Sequence, residues 1–437
     1  MPDTATVAAE KSAALNFHDM RNRLLAEAHA RPYTPLDTPV LATRIAAIGG
    51  EKGGEADRHH MVSLCRRYQA PEPGEGAKWC ALDAGGWRLR WERHTEISSW
   101  TFYRPLSESY VPAFEETALD LVPKDWLAAM PGRVLVAAHV ALLREQQLAA
   151  KWQSGDDISV AVVDGLAEIH TDFRPAGDNF TRFAVIQPQA DATLAGRVVQ
   201  QLLEIETYRL MALLAFPVAD EAANELNRLE AEAAEAANLV AQEGGIEADR
   251  RILNRLAKLA GEAQALAGRT GYRFAAGRAY YGIVLERIHQ LREQRIDGRP
   301  TIGDFMERRH APAMRTCAAV AERQQAVIEH ISRTTQLLST RVEVEAETTN
   351  ANLLASMDRR ANMQLRLQQT VEGLSVAAIS YYAIGLINYV IKALNKTLPW
   401  LDPTIATGIA APLVIGAIWM LLARLRRKMM AEEGGVE

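Results

Sequence analysis

Cysteine is scarce in this chain, and the three present, Cys65, Cys80 and Cys317, show no paired spacing. That excludes a disulfide framework or a thiolate zinc cluster and fits a reducing compartment. A strong charge of either sign is missing too. The formal net charge is -5 over 437 residues, which gives no reason to expect nucleic acid as a partner. No glycine-rich phosphate loop, Gly-x-Ser-x-Gly elbow or His-Glu-x-x-His helix occurs, and no Gly-Lys-Ser/Thr follows Gly49-Gly50 or Gly53-Gly54, which read as a flexible loop. A familiar enzyme class is therefore not expected, and no cofactor is called for beyond a divalent cation at the sites weighed below. The opening stretch MPDTATVAAEKSAALNFHDM lacks an apolar core of signal-peptide length, so what precedes the apolar runs is expected to stay cytosolic.

What is present is concentrated at the C-terminal end. Leu374 to Ile391 and Ile405 to Ala423 carry no Asp, Glu, Lys or Arg, and each is close to the roughly 20 residues a helix needs to cross a bilayer. Directly upstream, Ala313 to Glu372 contains neither Gly nor Pro, so one long helix is expected to run into the first span. Arg359, Arg360 and Arg366 precede that span and Arg424, Arg426, Arg427 and Lys428 follow the second, while the connector carries only Lys396. The positive-inside rule then places both termini in the cytoplasm, with the lipid bilayer as the first partner.

The expected organisation is a cytosolic α+β domain over 1–189, a long helical or coiled-coil stalk over 190–372, a two-helix transmembrane hairpin within 373–424, and a tail over 425–437. In the first domain a helix is expected around Phe17 to His29. A hairpin turns at Gly85-Gly86, and further strands are expected at Arg133 to Leu143, Ile158 to Ile169 and Phe180 to Ile186. Phe114 to Leu121 and Asp125 to Ala129 read as short helical pieces. After Gln189 the spacing turns helical, with Leu226, Leu229, Ala233, Ala236 and Val240 three or four apart before a break at Gly244-Gly245. Another helix is expected from about Tyr272 to Arg295.

Three polar constellations are candidates for chemistry. If RLRWERHTEIS continues as a strand, Glu92, His94 and Glu96 project from one face and Trp91, Arg93, Thr95 and Ile97 from the other, and two carboxylates around an imidazole suit a divalent metal or a shared proton. The alternative is a solvated or arginine-paired strand face. In HTDFRPAGDNFTRF a tight turn at Pro175 to Asp178 would let Asp172 and Asp178 gather a cation or hold Arg174 and Arg182. His29, Arg31 and Pro32 end a helix, where capping is the favoured account, and His59-His60 is expected to be exposed. In the first span Tyr381, Gly385, Asn388 and Lys392 fall on one helical side, as a pore lining or as a helix-packing seam.

Several phrases, among them EAHARPYTPL, RWERHTEISSWTFYR, HTDFRPAGDNFTRF and LLEIETYRLMALLAFPVADEA, resemble a bacterial family of membrane-anchored proteins of unknown function, DUF3422. The resemblance implies a membrane anchor and no particular activity. The layout is also similar to CorA-type divalent-cation channels, homopentamers whose first span lines the pore and is followed by Gly-Met-Asn. That signature is absent here; the nearest text, Gly385-Leu386-Ile387-Asn388, lies inside the span. The expected function is a membrane-anchored protein, most concretely a CorA-like homo-oligomeric cation channel with a cytosolic regulatory domain. The alternatives are a partner-binding scaffold without a pore and a tethered enzyme.

Overall fold

The computed structural model describes residues 16–22, 24–25, 33–49, 53–106, 114–144, 158–189, 191–242, 244–395 and 402–433. His29, Arg31, Pro32, Lys396 and the side chains of Arg426, Arg427 and Lys428 lie outside the described residues. The chain divides into two compact units, Met1–Glu243 with Arg251–Thr335, and Gly244–Arg250 with Gln336–Glu437.

The first unit is built on a nine-stranded sheet. Its strands are β1 (Val40–Ile48), β2 (Trp79–Asp83), β3 (Arg88–Arg93), β4 (Ile97–Pro105), β5 (Arg133–Leu143), β6 (Ile158–Val162), β7 (Ala167–Thr171), β8 (Thr181–Ile186) and β9 (Gln294–Arg295), in the spatial order β2-β3-β4-β1-β5-β8-β7-β6-β9. The pairings are antiparallel except β5 with β8, which run parallel. The run Ile158 to Ile169, expected as one strand, is two. Val163 and Asp164 take left-handed φ of 54° and 59° and Gly165 of 84°, so the chain reverses there.

Helices cover both faces of the sheet. On one side lie α1 (Gly53–Arg67) and α2 (Lys124–Ala128), where Met61, Leu64 and Trp126 pack with Leu41, Leu89, Trp91, Trp100 and Phe102. On the other lie α3 (Ala192–Leu213), α5 (Ile246–Leu291) and α6 (Ile302–Arg309), with Val198, Leu202, Ile205, Val284 and Met306 against Val140, Phe183 and Val185. The Asp191 carboxylate caps α3, accepting from the Thr193 and Leu194 amides at 3.0 Å each. α4 (Ala215–Gln242) follows α3 almost at once. Two expectations fail locally. Gly53 to Arg67 forms a helix where a glycine-rich loop was expected, and Phe114 to Leu121 makes turns, leaving only α2 helical.

The second unit contains the C-terminal part of α7 (Ala311–Leu394), from Gln336 onward, and all of α8 (Pro403–Glu433). Both helices are long and apolar enough to cross a membrane. Only 6% and 0% of their most apolar windows are buried, at mean hydropathy 1.7 and 2.2. A core helix of a soluble domain would have that surface covered.

Candidate functional site

The alternation within β3 sorts its residues. Leu89 and Trp91 enter the core beneath α1, while Arg90 and Glu92 point to the face covered by α3 and α5. The strand then stops at Arg93, with His94, Thr95 and Glu96 turning into β4. The turn resets the alternation. Ile97 packs with Met211 of α3, on the same side as Ser99, which is opposite Glu92 in the ladder. Glu92, His94 and Glu96 are therefore not three successive members of one strand face.

Glu92 and His94 instead line a cavity of about 300 Å³ between the sheet and the helices α3 and α5. The sheet wall consists of Arg44, Glu92 and Ser99. The helix wall is Gln200, Glu204, Thr207 and Tyr208 from α3 and Ile283 and Arg287 from α5, with Tyr33 completing it. Arg90 Nη2 donates to Glu92 Oε1 at 2.8 Å, and Arg44 Nη2 is 3.8 Å from Glu92 Oε2. All three side chains are buried. Burial raises the Glu92 carboxyl, but the charges of Arg44, Arg90 and His94 outweigh it and hold the group below the usual carboxylate range. Arg44 Nε also donates to Thr101 Oγ1 at 2.9 Å, and Arg90 Nη1 to Thr34 Oγ1 at 3.1 Å. Across the cavity Glu204 accepts from Gln200 Nε2 at 2.8 Å and from Arg287 Nε.

Glu96 does not line this cavity. It accepts from Arg273 and, at 2.8 Å, from the Tyr280 hydroxyl, whose ring stacks on Tyr208. Asp172 and Asp178 lie elsewhere, and each first serves its own turn. Asp172 Oδ1 accepts from the Arg174 amide at 2.8 Å, and Asp178 Oδ1 from the Phe180 amide at 3.0 Å. Asp178 Oδ2 also takes a bond from Arg182 at 3.0 Å and sits 3.8 Å from His139 Nε2. Among the described residues no three of His, Cys, Asp and Glu come together in a group able to hold a metal ion. His60, expected on the surface, is half-buried and stacks on Trp126 with ring centroids 4.1 Å apart, because α1 turns it inward; His59 is exposed.

In the second unit Asn388 Oδ1 lies 3.3 Å from Thr407 Oγ1 of α8, a hydroxyl it shares with the Pro403 carbonyl at 2.7 Å. Tyr381 and Lys392 are exposed, and a Cβ added at Gly385 would meet nothing within 4 Å.

The family described as Protein of unknown function (DUF3422) matches residues 16–429. The chain belongs to this family. No curated protein and no solved structure matches it. In this DUF3422 chain the residues that sequence reasoning missed are Arg44, Ser99, Glu204 and Arg287, which meet Glu92 and His94 only through the fold. Arg44 had a visible signal, since it is the one charge in the run VLATRIAAI, which is apolar apart from it and Thr43.

Proposed function

We propose that this chain is a membrane-anchored binding protein. Its two C-terminal helices hold it in the bacterial cytoplasmic membrane with both ends on the cytosolic side, and its sheet unit binds a small polar molecule. The observation that carries the binding half is the convergence of Arg44, Glu92, Ser99, Glu204 and Arg287 around one cavity. Charges are costly to bury, and a packed wall of them without a ligand role gains little stability over an apolar one. The volume is at the lower end of small-ligand sites, about 300–1,000 Å³. Support for the anchor is that only 6% and 0% of the two apolar helical windows are buried among the described residues.

The exposed Tyr381 and Lys392 favour a second reading, in which copies assemble as a homo-oligomer into a CorA-like cation channel. The engagement of Asn388 by Thr407 within one chain supports the first, since it spends the best polar group of that side on helix packing. Alkaline carbonate extraction of membranes carrying the full chain tests the anchor: it should remain in the pellet, and Gly385→Arg with Gly416→Arg should release it. Recovery of the unaltered chain in the supernatant contradicts the anchor. Magnesium flux through vesicles containing the purified chain, above that of empty vesicles, would favour the channel.

A further inference from the structure

The groups around the cavity between the sheet and the helices α3 and α5 differ in what they still have to offer. Both oxygens of Glu204 are taken, by Gln200 and by Arg287, and Glu92 Oε1 is taken by Arg90. The donors are less fully used. Ser99 is 1% exposed and its hydroxyl has no partner among the described residues. The 3.8 Å between Arg44 Nη2 and Glu92 Oε2 is too long for a hydrogen bond, so the Arg44 fork is fixed at Nε by Thr101 with its outer nitrogens only loosely engaged. A buried hydroxyl without a partner is costly, and a planar guanidinium matches two oxygens at once. The remaining wall, Tyr33, Tyr208 and Ile283, is suited to an apolar or aromatic body.

Resting on the cavity reading above, we infer that the ligand is an oxyanion, a small carboxylate or phosphate monoester, whose oxygens accept from Arg44 and Ser99 while its body lies against Tyr33 and Tyr208. Glu92 and Glu204 do not repel it, because each is already neutralised by an arginine, Arg90 and Arg287 respectively. The low local dielectric strengthens the Arg44 contact relative to the same pair in water.

The test is calorimetric titration of the full chain in mild detergent with four probes of similar size: benzoate, phenyl phosphate, benzamidine and benzyl alcohol. At least one anion should bind, while benzamidine and benzyl alcohol should not. Ser99→Ala should weaken that binding about tenfold and Arg44→Lys by about tenfold or more. Ser99→Ala removes a buried hydroxyl that has no partner among the described residues, so its unfolding midpoint without probe should be no lower than the parent's. That separates a lost ligand contact from a lost fold, should Arg44→Lys unfold. Binding of benzamidine or benzyl alcohol in place of the anions would overturn the oxyanion and leave the cavity reading standing. Anions binding Ser99→Ala and Arg44→Lys as tightly as the parent would place them elsewhere and overturn the inference. Binding of none of the four would overturn both.

Discussion

Arg90 donates to Glu92 at 2.8 Å two positions along the same strand, and both side chains are buried beneath α3 and α5. The pair fixes the sheet wall of the cavity, and Arg44 from β1 adds a second positive charge to the same carboxylate. Glu92→Gln therefore strands two buried guanidinium groups. Its expected cost is about 3–5 kcal/mol, read from urea unfolding of the detergent-solubilised chain. The carboxyl is held below its ordinary range, so its contribution is fully present above the unfolded value and lost as pH falls through the lower folded one. The variant should lack that acid limb, and an unchanged acid limb would show that the pair contributes nothing.

His139 responds to acid in the same direction, but through burial rather than through paired charges. Burial holds its imidazole down at about 4, and the ring stacks on Phe180 at 4.1 Å while Nδ1 is 2.7 Å from Thr43 Oγ1. The unfolded chain takes up this proton first, so stability is fully present above about pH 6.5 and declines as pH falls toward 4. His139→Gln should flatten the decline between those values, which unfolding midpoints at pH 7, 6 and 5 measure. His60 and His310 are also held down at about 4 by burial, so the variant removes only part of the slope.

Gly196 lies on α3 where the chain before β1 crosses it. A Cβ there would run into the Thr34 carbonyl, next to the Tyr33 that lines the cavity. Gly196→Ala must push that segment away and should cost about 1–3 kcal/mol in unfolding experiments. It should also weaken probe binding, whereas Gly261→Ala, with open space around it, should leave binding unchanged.

Much of the sheet was legible before any fold was known. The Gly85-Gly86 turn and the alternating β3 separate Trp91 from Glu92 as the sequence pattern implies. β1 was not legible, because VLATRIAAI is buried on both faces and shows no alternation to mark it. The site was half legible: Glu92 and His94 stood out. Glu96 belonged to a turn that the strand reading ran through, and Arg44, Glu204 and Arg287 join the cavity from elements far apart in the chain. Pairing across a sheet and a helix layer is a tertiary property, which no local spacing carries.

The Asn388 to Thr407 contact predicts a small coupling. A double-mutant cycle with Asn388→Leu and Thr407→Val should give about 0.6 kcal/mol, in the range found for hydrogen bonds between membrane helices. A coupling of zero would mean that the two residues do not meet, and would return Asn388 to the channel reading.

The most direct measurement is chemical access to position 99. In a Ser99→Cys chain, with Cys65, Cys80 and Cys317 replaced by Ala, the rates of modification by negatively and positively charged methanethiosulfonate reagents report whether the cavity opens to solutes and which sign it admits. A polar binding cavity in which the outer nitrogens of Arg44 are only loosely engaged should let the thiol react, and faster with the anionic reagent. A thiol that neither reagent reaches in the folded chain would contradict the account.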